Sequence, residues 1–124
     1  MYAKIENEET KVCSVGIGTD TEFYRSIGMT EMEVEQAWNG AWYLKGYAPE
    51  KPAEEKAAEV RAERDRRIEA IRWRIERYQT QAAAGLETTD TAEQYKDILL
   101  YVQALRDVPA QAGFPDAIEW PEEP

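Results

Sequence analysis

The sequence predicts an α+β protein: a small antiparallel N-terminal sheet with a short helix, then a long-helix αα-hairpin, then an extended C-terminal tail. Three observations carry that reading. Short alternating runs flank turn residues, Asn39-Gly40 among them, across residues 1–49. Residues 53–84 contain neither Pro nor Gly and are rich in Ala, Glu and Arg, all good helix formers. Residues 110–124 set Phe114, Ile118 and Trp120 among Pro115, Pro121 and Pro124, a composition suited to extended backbone.

Residues 2–5 and 11–17 read as two strands, with Asn7, Glu8 and Glu9 as a polar turn between them. In the second strand Cys13, Val15 and Ile17 make the more apolar face. Cys13 reads as a small core residue, because a reactive thiol needs a basic neighbour to lower its pKa and none is evident. Gly16-Ile17-Gly18 is not a dinucleotide loop, since Thr21 stands where the third glycine would fall. Thr19 or Asp20 can cap a short helix over 22–27, with Gly28 as its stop.

Residues 32–44 admit two readings. Thr30 to Glu33 fits a capping box, which would start a helix and make the protein an all-α bundle. Against that, Met32, Val34, Gln36 and Trp38 alternate and run straight into Asn39-Gly40, the strongest short hairpin signal. The turn chemistry favours the hairpin. A two-residue turn there pairs Trp38 with Ala41, Gln36 with Tyr43 and Val34 with Lys45. Pro49 and Pro52 then end the sheet.

The helix over 53–84 would span roughly 48 Å at about 1.5 Å per residue, with Gly85 to stop it. Glu63–Arg67, Arg61–Asp65 and Arg72–Glu76 sit at ion-pair spacing, so the arginines read as a solvated, laced face. Ile68, Ile71, Ile75, Tyr78 and Ala82 form one apolar stripe. Trp73 points away from it and must pack on the sheet, a second subunit or a partner. Thr91 and Gln94 form a capping box for a second helix over 92–108, whose apolar face is Tyr95, Ile98, Leu99, Val102 and Leu105. Pro109 ends it. The short connection predicts an antiparallel αα-hairpin. The organisation is then a β-rich region over 1–49, a helical hairpin over 53–109 and a tail over 110–124. The first helix outruns the second, leaving 53–67 without a partner. With Trp73, that overhang suggests a homo-oligomer or a supporting sheet contact.

The chain has 124 residues, enough for one modest core. Its net charge is -10, concentrated at the C-terminal end, where residues 85–124 carry nine acidic and two basic side chains. Nucleic acid and anionic membrane surfaces select basic patches, so neither is an expected partner. The lone cysteine and the absence of histidine leave no cysteine zinc site and remove the commonest general base. No signal pattern and no long apolar run is present, which predicts a cytoplasmic protein. No metal, cofactor or catalytic residue is expected; Glu31, Glu33 and Glu35 read as a solvated face.

The string Gln103-Ala104-Leu105-Arg106-Asp107, then Gly113-Phe114-Pro115 and Trp120-Pro121, resembles the C-terminal module of bacteriophage tail fibre assembly proteins, the tail assembly chaperones. Arg72-Trp73-Arg74 and residues 101–120 carry most of the likeness, and residues 35–49 resemble the N-terminal part of such proteins. The resemblance covers about two-thirds of the chain. It implies a non-catalytic chaperone that binds the tail fibre protein and assists its folding or trimerisation. Related modules also occur on fibres themselves, so a structural tail component is the alternative, and a generic acidic adaptor the third reading. A short chain beginning at a methionine, without fibrous repeats, favours the separate chaperone. Trp73, Tyr101, Phe114 and Trp120 are the candidate partner contacts. Asn39 and Gly40 are assigned to the turn, and Arg106 to tying the tail down through Asp107 or Asp116.

Overall fold

Strand β1 (Tyr2–Ile5) and strand β2 (Val12–Gly16) form an antiparallel pair. Asn7 builds the turn between them, its Oδ1 accepting from the backbone N–H groups of Glu9 and Thr10. The structure, a computed structural model, describes all of residues 1–124. The chain divides into two units, Met1–Lys51 and Pro52–Pro124.

In the first unit a six-residue helix, α1 (Thr21–Ser26), follows β2. Asp20 caps it, accepting from the Phe23 N–H at 3.1 Å, and Gly28 ends it at a φ of +90°. Three short strands complete a five-stranded sheet: β3 (Thr30–Glu31), β4 (Val34–Gln36) and β5 (Trp42–Leu44), in the order β3-β1-β2-β5-β4. The helical alternative for 32–38 does not form. Thr30 and Glu31 pair with Ala3 and Tyr2 instead of capping a helix.

The hairpin joining β4 and β5 is present, but its register differs by one residue from the expected one. Val34 lies opposite Leu44, Glu35 opposite Tyr43 and Gln36 opposite Trp42. The turn is therefore a three-residue loop, Trp38-Asn39-Gly40. The Gly40 N–H donates to the Ala37 carbonyl, and the Ala37 N–H to the Ala41 carbonyl. Only Gly40 adopts a positive φ, +83°, as a type I turn with a following bulge requires and a type I′ turn does not. The reason is the pleat. A one-residue slip turns every side chain over. The observed register sets Val34 beside Leu44 on the face that also carries Ala3, Cys13 and Trp42. The two-residue turn would have set it beside Lys45.

Ala3, Cys13 and Met29 are the buried residues of this unit. Burial pushes the Cys13 thiol above its ordinary pKa. On the opposite face Tyr24 of α1 lies against Gly16, where a Cβ would come within 2.7 Å of the ring. Ile17, expected on the inner face with Cys13, lies beyond the end of β2 and is 85% exposed.

The second unit contains α2 (Ala53–Ala83) and α3 (Ala92–Arg106). Both halves of the capping box form: Thr91 Oγ1 accepts from the Gln94 N–H, and Gln94 Oε1 from the Thr91 N–H. Gly85 stops α2 at a φ of +71°. The core is Ile71, Ile98, Tyr101, Val102 and Leu105, with Ile68, Ile75 and Trp120 packed against it. Tyr78 and Tyr95 stack at 3.9 Å across the hairpin. Leu99 lies at the edge of the core face and stays 42% exposed, and Ala82 is exposed at the open end of its stripe.

The C-terminal segment departs most from expectation. It is not an extended tail. A 3-10 turn at Val108–Ala110 follows α3, further turns run through residue 116, and the chain is laid down to its last residue. The Phe114–Pro115 peptide is cis. Gln111 closes the loop, its side-chain amide exchanging two hydrogen bonds with the Glu119 backbone at 2.8 and 2.9 Å.

Candidate functional site

The arginines of α2 define the site. Four of them hold the segment after α3, or the loop before it, onto the long helix. Arg61 lies over the Phe114 ring at 5.2 Å and Arg67 over the Trp120 ring at 4.2 Å. Arg74 Nη1 donates to the Pro124 oxygen at 2.7 Å, and Lys56 pairs with Asp116 at 2.9 Å. Contacts at Lys56, Arg67 and Arg74 thus meet Asp116, Trp120 and Pro124 in the same order, so the strap runs along α2 in the helix's own direction. It begins on the first half of α2, which α3 is too short to reach, and continues past Ala70 to Arg74, where it also lies against Tyr101 of α3.

Asp90 is the one buried ionised group. Its Oδ1 accepts from Arg74 Nη2 and its Oδ2 from Arg77 Nη2, each at 3.0 Å. The hydrogen bond from Arg74, reinforced by that from Arg77, holds the carboxyl below the usual range against the burial that pushes it up. Arg74 therefore joins the loop before α3 to the end of the strap. Arg77 Nε is buried without a hydrogen-bond partner. The same guanidinium lies over Trp73 at 4.9 Å.

Of the four candidate partner contacts, three belong to the fold of this unit. Tyr101 is 7% exposed in the core, Trp120 is packed against that core, and Phe114 is half-buried under Arg61. Trp73 remains at the surface, 56% exposed on the side of α2 away from α3. Leu100 on the outer side of α3 is 57% exposed. Asn39 accepts from the Ala41 N–H within its turn. Arg106 ties nothing down: Asp107 accepts from Gln103 and Asp116 pairs with Lys56.

Of the expected helix ion pairs, Glu63–Arg67 forms at 2.9 Å. Arg66 shares the same carboxylate, and the hydrogen bonds from Arg66 and then Arg67 lower the Glu63 pKa to about 2. Asp65 pairs with Arg64 instead of Arg61, and Arg72 with Glu69 instead of Glu76. Sequence reasoning treated these arginines as a solvated face and missed their stacking role. The available signal was the match between seven arginines in 61–77 and the aromatics of 114–120. The overhang that argued for self-association is taken up by the strap, which leaves Trp73 as the remaining motive.

No cluster of three or more His, Cys, Asp or Glu side chains is placed to hold a metal ion. No helix is long and apolar enough to cross a membrane. Residues 57–124 match the family model described as phage tail assembly chaperone protein, over more than half the chain and nearly all of the helical unit. No curated protein and no solved structure matches the chain.

Proposed function

The chain belongs to the phage tail assembly chaperone family, and from that membership we propose that it binds a newly made, unassembled tail fibre protein in the bacterial cytoplasm and assists its folding and trimerisation without catalysing a reaction. The observation that carries this reading is the coincidence of the family match with one self-contained helical unit. Fibre subunits expose sheet edges and apolar surface before their chains register, an aggregation hazard. An acidic protein can cover such surface with its exposed apolar side chains while its net charge of -10 keeps the complex soluble. Trp73 is the leading apolar contact, because it is large, exposed and already oriented by Arg77.

The direct test is co-expression with a tail fibre protein from the same genome, against the fibre expressed alone. The expected result is soluble trimeric fibre only when both are made. Fully soluble trimer formed without this protein would end the proposal. Recovery of the protein in finished tails would favour the structural alternative.

A further inference from the structure

A pair of packed helices leaves a groove along each broad face; the strap from Trp120 to Pro124 fills one, whereas Phe114 at its start lies under Arg61, on the side of α2 that Arg72 also faces. On the filled face Pro121 lies beside Tyr101, Arg66, Arg67 and Ala70. At 100° per residue Arg72 points about 140° away from Arg67 around α2. It lines a separate cleft of about 410 Å³ with Arg64, Ile68 and Arg106. Leu99 lies two turns before Arg106 on the same stripe of α3 and is the exposed edge of the core face. The cleft thus combines one apolar side chain, Ile68, with three guanidinium groups, and Leu99 lies farther along the same side of α3. Two carboxylates also line it, but each is already engaged, Asp65 by Arg64 at 2.9 Å and Glu69 by Arg72 at 3.2 Å. Arg106 makes no ion pair.

The strap shows which chemistry this hairpin holds. Its aromatic rings lie under arginines and its carboxylate pairs with a lysine. We infer that the second groove takes a segment of the same kind from the tail protein: acidic, with a large apolar or aromatic side chain. A carboxylate meets Arg106, and the apolar side chain covers Ile68 and Leu99. Charge complementarity selects this occupant, because Arg106 is the guanidinium of this cleft without an ion pair, beside Ile68, on a chain of net charge -10. The inference rests on the chaperone reading.

The probe is a fluorescein-labelled peptide with the sequence of residues 113–124, which carries both chemistries, titrated into the full-length protein by anisotropy. A control peptide has its acids replaced by lysine. The expected result is binding of the acidic peptide alone, weakened at least about tenfold by Arg106→Glu and likewise by Leu99→Ser, with circular dichroism unchanged. No binding, equal binding of the control, or equal affinity in R106E would overturn it. Fibre co-expression separates this from failure of the function. If the wild type rescues the fibre and R106E rescues it equally, the groove is wrong and the chaperone stands. If the wild type does not rescue, the function itself is wrong.

Discussion

The Arg67 guanidinium lies 4.2 Å from the centroid of the Trp120 ring and at the same time donates to Glu63. One side chain therefore fixes both the surface of α2 and the segment that crosses it. A cation over an indole is worth about 0.5–2 kcal/mol, and burying most of an indole more than that. Trp120→Ala should lower the stability of the helical unit by about 2–3 kcal/mol, and Arg67→Ala by about 1 kcal/mol. Truncation after Pro109 should destabilise at least as much as Trp120→Ala. Urea titration by far-ultraviolet circular dichroism reads all three. A truncated protein as stable as the full chain would show that the strap contributes nothing.

Acid should loosen the helical unit in a defined window. Glu63 and Asp90 have folded pKa values below their unfolded ones. Such carboxylates stabilise the fold above the unfolded value, and the effect disappears as pH falls through the folded value. For Glu63 that window runs from the ordinary range near 4.3 down to about 2. Glu63→Gln and Asp90→Asn should each flatten the fall of melting temperature with pH there. Salt should erode the Glu63 part more, because its side chain is 32% exposed against 9% for Asp90.

Gly113 has no room for a side chain, since a Cβ would run into the Ala117 carbonyl. Gly113→Ala should open the turn that brings Phe114 under Arg61, at a cost of about 1–3 kcal/mol. Loss of contacts between the Phe114 ring and Arg61 in nuclear Overhauser spectra is the specific readout. An unchanged spectrum would contradict the turn.

Gly40 carries the positive φ of the hairpin loop, with open space around its Cα. Gly40→Ala should destabilise the N-terminal unit by about 1–2 kcal/mol through backbone strain alone. Asn39 does not need a left-handed conformation, so Asn39→Ala should lose only its hydrogen bond to the Ala41 N–H, about 1 kcal/mol. Equal and large effects at both positions would point to a type I′ turn and the other register.

Trp73 is half-exposed and makes its ring contact with Arg77. Trp73→Ser should leave melting temperature within a few degrees of wild type while weakening fibre capture about tenfold or more. Pull-down of co-expressed fibre, with melting measured on the same preparation, distinguishes the two. Undiminished capture would remove Trp73 from the partner surface.

What the sequence determined by itself is what neighbouring residues settle among themselves. The Thr91–Gln94 capping box, the stops at Gly28 and Gly85 and the uninterrupted run of α2 are local, decided within one or two turns of backbone. The stripe of Ile68, Ile71 and Ile75 follows from helical period in the same way. Tertiary structure decided whatever needed a distant partner. Asn39-Gly40 announces a turn, but its register depends on the face Val34 must share with Leu44, Trp42 and Cys13. Residues 110–124 carry no period, and their prolines suit extended chain. They are folded because α2 outruns α3 and offers Lys56, Arg61 and Arg67 along the vacant length, with Arg74 beyond it to take the last residue. The pairing of Asp90 with Arg74 and Arg77 has the same origin. An arginine's spacing along a helix shows which neighbours it can reach, whereas its actual partner is set by the charge or ring that the folded chain brings across from another element.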